Sequence, residues 1–409
     1  MRKMKDSGVE WIGEIPKDWN CMRLKFAFGN SNVGESVDKE LYSSDENGYI
    51  FYTAGANPVK TSYTEFPMWK YTTDNDILLA RNGTPYIYLP SKDAVYSDHI
   101  IRINIKDGYC RRFLRYCLQR SIESIIVDSV SIATWSISLW KEQKLPLPYY
   151  HEQKYLADYL DSKCSKIDEI IEKQQAIIKK LKEYKFSIIT EAVTKGINPD
   201  VELKDSTIDM CEQIPVHWGI SQNRYLFLLR DEKNYKPLEE VRLLSLYTDL
   251  GVFPHGEQEE RGNKAVKAEG YKVVYENDIV VNIILAWMGA IGRSAYDGVT
   301  SPAYDIYKPN ENVCSRYYHY LYRTKPFSAE CYKYGRGIMA MRWRTYSSEF
   351  KSIKVPVPPY IEQCQIADYL DSKCEMLDKT IADRNKAIDK LQEYKKSLIY
   401  EGVTGKKEV

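Results

Sequence analysis

The sequence predicts an α+β protein with a pseudo-two-fold internal repeat. Two sheet-containing globular domains alternate with two long helices, which form an antiparallel coiled coil. Three observations predict this fold class: an eight-residue string that occurs twice, a heptad pattern of apolar residues around each copy, and short apolar or alternating runs in the regions between. A length of 409 residues allows two or three domains of ordinary size.

The repeat organises the whole chain. The string ADYLDSKC stands at 157–164 and again at 367–374, and at the same offset of 210 residues the match continues to Val193-Thr194 and Val403-Thr404. A weaker repeat opens each half, with KDS at 5–7 and at 204–206. The sequence therefore predicts two units, each a variable region of roughly 150 residues followed by a repeated segment of roughly 45.

Each variable region is predicted to contain a sheet. The runs DILLA at 76–80 and DIVVN at 278–282 are typical of buried strands, and residues 100–105 alternate between apolar and polar. Helical stretches follow at 111–121 and 315–324, which makes both regions α+β. Residues 194–205, with a glycine, a proline and little apolar content, are expected to form a linker.

Each repeated segment is predicted to be one long helix. A proline-rich stretch precedes it, at 145–148 or 355–359, and no further proline or glycine occurs before Gly196 or Gly402. Roughly 40 residues at 1.5 Å each give a helix of about 60 Å. Apolar residues recur in heptads and predict a coiled-coil seam of Leu160, Ile167, Ile171, Ile178 and Leu181 in the first copy, and Leu370, Leu377, Ile381, Ile388 and Leu391 in the second. We expect the two helices to pair with each other in antiparallel fashion; the alternative is that each packs only on its own globular region.

Composition and motifs exclude several functions. Lys and Arg number 58 against 57 Asp and Glu, so charge alone would not hold nucleic acid tightly. No run approaches about 18 apolar residues, and the amino terminus does not resemble a signal peptide. Nine scattered cysteines without a CxxC pair, and five dispersed histidines, indicate reduced thiols, a cytoplasmic location and no metal site.

We find no catalytic signature. The chain lacks the phosphate-binding loops GxxxxGK[ST] and GxGxxG, the nucleophile elbow GxSxG, and the Asn/Asp-Pro-Pro-aromatic motif of amino methylation. The nuclease-like string PDVELK at 199–204 is crowded into the predicted linker. The sequence therefore predicts no catalytic residue.

Some arginine- and aromatic-containing stretches are suited to contact with DNA. Arginine and asparagine read purine edges by paired hydrogen bonds, and aromatic rings stack on or pack against bases. For Arg81 a surface ion pair is the alternative. The predicted DNA-contacting residues are Arg81, Asn82, Tyr86, Trp135, Arg293, Arg336, Arg342, Trp343 and Arg344.

Over nearly its whole length the chain resembles the DNA-specificity (S) subunit of type I restriction–modification enzymes. The resemblance rests on the opening KDSGVEWIGEIP at 5–16 with Trp19, on LPLP at 145–148 followed by Glu152-Gln153, on EAVTKG at 191–196, and on the Pro-x-Pro and Glu-Gln signature that returns at 356–363. These strings are specific in combination. The second opening, at 209–213, lacks the Trp-Ile-Gly of the first.

The resemblance implies a division into target-recognition domain 1 (1–148), helical spacer 1 (149–195), a linker (196–206), target-recognition domain 2 (207–358) and helical spacer 2 (359–409). Each recognition domain would read one half of a bipartite double-stranded DNA site, and the coiled coil would set the gap between the halves. The subunit itself would be non-catalytic and would bind no cofactor. It would dock two methylation (M) subunits, which carry S-adenosylmethionine, and restriction (R) subunits can join that complex in host defence.

Two other functions remain open at this point. The chain could be a fused methyltransferase or nuclease, against which the missing cofactor loops argue. It could also be a structural coiled-coil adaptor whose globular domains bind protein.

Overall fold

The fold is that of a computed structural model, which describes residues 2–43, 48–128, 134–248, 250–256, 267–337 and 343–407, without the side chains of 126–128. By its internal contacts the chain divides into two compact units. Unit 1 consists of Met1–Gln174 and Asn385–Val409, and unit 2 of Gln175–Arg384. Both boundaries fall inside long helices, so each unit contains a part of both helices.

The helices of the described chain include two that are far longer than the rest. The helices are α1 (Arg111–Asp128), α2 (Ile137–Lys141), α3 (Tyr150–Lys195), α4 (Asn223–Leu226), α5 (Ser315–Tyr322), α6 (Lys325–Tyr334), α7 (Ser347–Ser352) and α8 (Tyr360–Thr404).

The strands are short and follow a similar order in the two units. In unit 1 they are β1 (Met4–Asp6), β2 (Glu14–Pro16), β3 (Asn20–Arg23), β4 (Phe28–Val33), β5 (Tyr42–Ser43), β6 (Tyr49–Tyr52), β7 (Val59–Thr61), β8 (Asp76–Ala80), β9 (Ile87–Tyr88), β10 (Val95–Tyr96), β11 (Ile100–Ile105) and β12 (Lys144–Leu147). In unit 2 they are β13 (Leu203–Ile208), β14 (Cys211–Pro215), β15 (Gly219–Gln222), β16 (Phe227–Arg230), β17 (Leu244–Tyr247), β18 (Gly251–Pro254), β19 (Lys272–Val274), β20 (Ile279–Asn282), β21 (Ile291–Arg293), β22 (Gly298–Thr300), β23 (Tyr304–Pro309) and β24 (Lys354–Val357).

Each unit has a four-stranded sheet at its centre. The strand order is β4-β11-β8-β9 in unit 1 and β16-β23-β20-β21 in unit 2, and all neighbours are antiparallel. Strands β8 and β20 are buried on both faces, as their uninterrupted apolar runs predict. Strand β11 shows the alternating burial that its sequence predicts.

A buried aspartate marks the start of both central strands. The carboxylate of Asp76 accepts a hydrogen bond from the backbone N–H of Thr73 at 2.6 Å. At the equivalent place Asp278 accepts from the N–H of Tyr275 at 2.9 Å, and Arg230 donates to it as well. Because a buried charge is costly unless it is paired and hydrogen-bonded, these partners allow an acidic residue inside the sheet.

Many of the tyrosines are buried in the hydrophobic cores. In unit 2, Tyr317, Tyr318 and Tyr322 of α5 are fully buried. Tyr318 packs against Phe227 and Tyr317, and Tyr322 packs against Phe350. The sequence contains 34 tyrosines. Aromatic packing accounts for these three without a bound ligand.

Helices α3 and α8 confirm that each repeated segment is one long helix. They contain 46 and 45 residues, and each follows a proline-rich strand. Helix α3 ends before Gly196, whose φ is +80°. Helix α8 continues through Gly402, where the sequence predicted its end, and stops before Gly405 at φ +67°. Gly402 lies against Leu160, with only 3.0 Å between an added Cβ and that side chain, so close packing and not termination explains this glycine.

Within each unit the parts of α3 and α8 run antiparallel, as predicted. In unit 1 the ammonium of Lys395 lies 2.6 Å from the carboxylate of Asp168, and in unit 2 Lys185 lies 2.6 Å from Asp378. These pairs are symmetry mates, because both members shift by 210 residues. The alternative in which each helix packs only on its own globular region is wrong. Of the predicted seam residues, seven are buried, and Leu181, Ile381 and Leu391 are half-buried.

The repeated string ADYLDSKC anchors the helices of the globular parts to the long helices. In unit 1, Arg112 of α1 pairs with Asp158 and Asp161 at 2.6 and 2.8 Å, and the hydroxyl of Tyr116 donates to Asp161 at 2.7 Å. In unit 2 the same set is built from Arg316, Tyr320, Asp368 and Asp371, at 2.7–2.8 Å. The string therefore recurs because two aspartates one helical turn apart accept an arginine and a tyrosine in both units.

Candidate nucleic-acid interface

In unit 1 the loop after strand β8 is tied to the segment that leads into α2. The backbone N–H of Trp135 donates to the carbonyl of Arg81 at 2.7 Å, and Asn82 and Thr134 form an antiparallel bridge. The indole Nε1 of Trp135 also donates to the carbonyl of Gly83, at 3.0 Å. Two loops from distant parts of the sequence thus form one surface at the end of the central sheet.

Unit 2 has the same backbone arrangement with different side chains. The N–H of Thr345 donates to the carbonyl of Ile283 at 2.9 Å. Ile283 corresponds to Arg81 at the offset of 202 residues, and Thr345 corresponds to Trp135 at the offset of 210. The internal repeat therefore preserves the support of this surface, while the exposed chemistry differs between the units. We refer to the two places as surface 1 (residues 81–83, 97–99 and 134–136) and surface 2 (residues 283–285, 336–337 and 343–345).

Surface 1 is polar and open. The Arg81 side chain is exposed, and its backbone N–H donates to the carbonyl of His99 at 2.9 Å. Nδ2 of Asn82 lies 2.9 Å from Nδ1 of His99. Beside these residues is a groove of about 300 Å³, whose lining residues are Ser31, Asn32, Val33, Arg81, Ile101, Thr134, Ser136 and Ile137. Burial raises the pKa of Tyr96 to about 12, so its hydroxyl stays protonated and donates to Oδ1 of Asn32 at the groove.

Surface 2 is built on a pair of arginines. Arg336 and Arg344 exchange two backbone hydrogen bonds, each of 2.9 Å, and so close the base of the loop between them. The guanidinium of Arg336 is exposed and lies 2.7 Å from the buried carboxylate of Glu349. Trp343 stacks on Tyr332 with ring centroids 4.7 Å apart and donates its indole N–H to the carbonyl of Tyr332 at 2.9 Å. Among the described residues here, the paired backbones of Arg336 and Arg344 are fixed to each other and the guanidinium of Arg336 is exposed.

Four of the predicted residues are wholly or partly buried, lie elsewhere in the unit, or fall outside the described part of the chain. Trp135 is only 2% exposed, so its ring holds the loop and offers no face for stacking on a base. Tyr86 is half-buried against Tyr88. Arg293 pairs in register with Ile279, at the opposite end of β20 from surface 2, and is tied to Glu276 and Asn277. Arg342 lies outside the described residues. Arg81 and Asn82 lie at surface 1, and Arg336, Trp343 and Arg344 lie at surface 2.

Two residues that bind side chains of these surfaces were not predicted from the sequence. One is His99, the partner of Asn82, and the other is Glu349, the partner of Arg336. A signal for His99 exists, because antiparallel strands β8 and β11 pair Ala80 with Ile100, which puts the next residues outward, Arg81 and His99, side by side. For Glu349 we find no signal in the sequence, since it comes from a separate short helix.

Among the described residues, a metal-binding cluster and a membrane-spanning helix are both absent. In that part of the chain no group of three or more His, Cys, Asp or Glu side chains is arranged to hold a metal ion. None of the described helices is both long enough and apolar enough to cross a membrane.

Comparison with known proteins gives a consistent family. Residues 16–191 match the family described as type I restriction modification DNA specificity domain. A protein of Methanocaldococcus jannaschii named as the MjaX specificity subunit of a type I restriction enzyme is 24% identical over 436 aligned residues, which cover 97% of this chain and 95% of the relative. The MjaVIII specificity subunit of a type I restriction enzyme from the same organism is 23% identical and covers 96% of this chain and 93% of the relative.

Solved structures share the fold. A chain from a study of complex assembly and conformational transition of the type I R-M system matches with a TM-score of 0.68 at 13% identity, covering 96% of this chain and 99% of that one. The HsdS subunit from Thermoanaerobacter tengcongensis matches with a TM-score of 0.50 at 13% identity, covering 98% of this chain and 99% of that one. These matches support the mixed architecture of sheet-containing domains and long helices.

Proposed function

We propose that this chain, which belongs to the DNA-specificity subunits of type I restriction–modification systems, reads a bipartite double-stranded DNA site with one half-site for each unit. The matching family is one of DNA recognition and not of catalysis, and the curated relatives are specificity subunits. The chain is accordingly a non-catalytic DNA-recognition subunit. The two half-sites and their assignment to the units are the finer part of the proposal.

The observation that carries the finer part is the equivalence of surfaces 1 and 2. Both are held by the same backbone hydrogen bond, from Trp135 to Arg81 and from Thr345 to Ile283. The side chains on that common support differ, with an amide and an arginine after β8 and two isoleucines after β20. A repeated support that carries unlike side chains is suited to reading two different sequences, since base edges are distinguished by the donors and acceptors that meet them.

The charge of the chain supports a shared interface with DNA. Neutralising phosphates is the largest sequence-independent contribution to DNA binding, and a net charge of +1 supplies little of it. We propose that two methylation subunits dock on this chain, bring S-adenosylmethionine and complete the contact with the phosphates. Restriction subunits would then join through the methylation subunits. The paired helices α3 and α8 would set the gap between the half-sites.

The decisive experiment is to map methylated positions across the genome of a host that carries this chain with its methylation partner. We expect a single motif of two short specified segments separated by a gap of constant length. The control is a host that carries the methylation partner alone, in which this motif should be absent. A continuous motif, or the same motif in both hosts, would contradict the proposal.

The two other functions predict different results with purified protein. A fused enzyme would methylate or cleave DNA when the chain alone receives S-adenosylmethionine and Mg²⁺. A protein-binding adaptor would leave its assembled complex unable to retain DNA at low salt, where electrostatic binding is strongest. We expect neither outcome.

A further inference from the structure

Asn82 and His99 form a polar pair at surface 1. The amide nitrogen Nδ2 of Asn82 lies 2.9 Å from Nδ1 of His99. With the imidazole proton on Nε2, Nδ1 is an acceptor, and one N–H of the amide donates to it. In this tautomer the hydrogen bond fixes the direction of the amide, because a reversed amide would turn its own acceptor oxygen toward the acceptor nitrogen.

Both side chains of the pair are accessible to a ligand. Asn82 is half-exposed and the His99 side chain is 55% exposed. The next residue, Gly83, has φ +69°, and no atom lies within 4 Å of where its Cβ would be. The backbone therefore leaves open space at the residue after Asn82, and glycine allows close approach of a partner.

We propose that Asn82 reads an adenine in the half-site of unit 1, and that His99 is a positioning residue that orients the Asn82 amide for this contact. The remaining N–H and the oxygen of the amide form an adjacent donor and acceptor. Adenine offers the matching pair in the major groove, N7 as acceptor and the N6 amino group as donor. The proposal rests on the proposed function, since it concerns the base read at surface 1.

Unit 2 provides an internal control. The residues equivalent to Asn82 and His99 are Ile284 and Ala303, which follow from the pairings of Ala80 with Ile100 and of Asn282 with Tyr304. Neither side chain can donate or accept a hydrogen bond. A change at Asn82 or His99 should therefore alter the half-site of unit 1 and leave the half-site of unit 2 unchanged.

The test maps the methylation motif for the complete complex with the wild-type chain and with Asn82→Asp, His99→Ala and His99→Asn. An aspartate only accepts, so Asn82→Asp should reduce the preference for adenine at one position by about tenfold or more and favour cytosine, whose N4 donates. His99→Ala removes the acceptor and should relax the same position. His99→Asn places an amide oxygen where Nδ1 lies and should restore the preference.

Binding measurements cover variants that no longer methylate. Each purified complex is titrated with duplexes in which the bases of the unit 1 half-site are changed one at a time. The proposal predicts that discrimination is lost at one A·T pair only, whereas an equal loss of affinity for every duplex would overturn it. An unchanged motif with Asn82→Asp, or a wild-type half-site for unit 1 without any A·T pair, would also overturn it.

The failure of this inference can be told apart from the failure of the proposed function. If the wild-type complex gives no bipartite motif at all, the proposed function fails. If the wild-type motif is bipartite and Asn82→Asp leaves both halves unchanged, only the role of Asn82 and His99 is wrong.

Discussion

At the scale of single residues, His319 of α5 is placed so that the fold favours its neutral form. Its Nδ1 accepts a hydrogen bond from the backbone N–H of Arg293 at 3.1 Å, which requires an unprotonated nitrogen. Burial of the ring, together with the positive charges of Arg323 and Arg293, lowers its pKa from 6.5 to about 3. In the unfolded chain this histidine is protonated below about pH 6.5, whereas in the folded chain it is protonated only below about pH 3.

This histidine makes the stability of unit 2 depend on pH. The stabilisation is complete above about pH 6.5 and is lost as the pH falls toward about 3, so between pH 7 and pH 5 the free energy of unfolding should fall by at most about 2 kcal/mol. In His319→Asn the amide oxygen can still accept the hydrogen bond from Arg293, but the titrating imidazole is gone. The free energy of unfolding in urea should therefore depend less on pH in this variant. His151→Asn, at the exposed start of α3, is the matched control. Equal pH dependence in wild type and His319→Asn would refute this origin.

Gly335 is a second residue where a small change should have a defined effect. A Cβ there would lie 2.5 Å from Nε1 of Trp343 and 2.9 Å from the backbone oxygen of Cys331. Since the φ of −70° is allowed to any residue, only the contact opposes Gly335→Ala. We expect a loss of about 1–3 kcal/mol in unfolding free energy, as for overpacking, and displacement of Trp343 from Tyr332. Tryptophan fluorescence reports the displacement of Trp343, and urea unfolding measures the free energy. The control is Gly29→Ala, where an added Cβ has nothing within 4 Å.

At the scale of elements, reciprocal charge pairs reinforce the register of the long helices. Lys395 faces Asp168 in unit 1, and their symmetry mates Lys185 and Asp378 face each other in unit 2. The same contact therefore occurs once in each unit, with the lysine on α8 and the aspartate on α3 in unit 1 and the reverse in unit 2.

Charge reversal tests this pairing. Asp168→Lys puts two ammonium groups opposite each other and should cost roughly 0.5–1 kcal/mol, because the pair is partly exposed and screened by solvent. Adding Lys395→Asp should restore most of that loss, as measured by the coupling energy of a double-mutant cycle in urea unfolding. Lys180→Asp at an exposed position of α3 controls for net charge. A double variant no better than the sum of the single changes would show that the two side chains do not interact.

The main strands and the long helices could be predicted from the sequence. The residues of the candidate DNA interface could be predicted less well. Strands β8 and β20 and helices α3 and α8 have strong patterns, since burial imposes a fixed period on apolar residues. Trp135 shows the limit, because composition does not distinguish an indole that stacks on a ligand from one that is buried and hydrogen-bonded. The position of Arg293 depends on the register of β21 against β20, in which Arg293 pairs with Ile279. Tertiary contacts set that register.

At the scale of the whole molecule, the proposed function makes the length of the helices α3 and α8 a measurable quantity. Residues 179–185 of α3 and 378–384 of α8 are facing heptads, since Lys185 pairs with Asp378. Removing both keeps the seven-residue pattern of the seam, and the pair of Lys395 with Asp168 remains to hold the antiparallel register. The paired helices would then be shorter by about 10 Å, at 1.5 Å for each residue.

The gap in the methylated motif should contract accordingly, by about three base pairs at roughly 3.4 Å each. Both specified half-sites should keep their sequences, because neither surface 1 nor surface 2 is altered. Removing the heptad from α3 alone is the matched control: it brings mismatched seam residues together and should reduce methylation without giving a new fixed gap. Methylation mapping in the host compares the wild-type chain with both variants. A shortened pair that still methylates the original motif with its original gap would mean that the methylation subunits, and not these helices, set the distance.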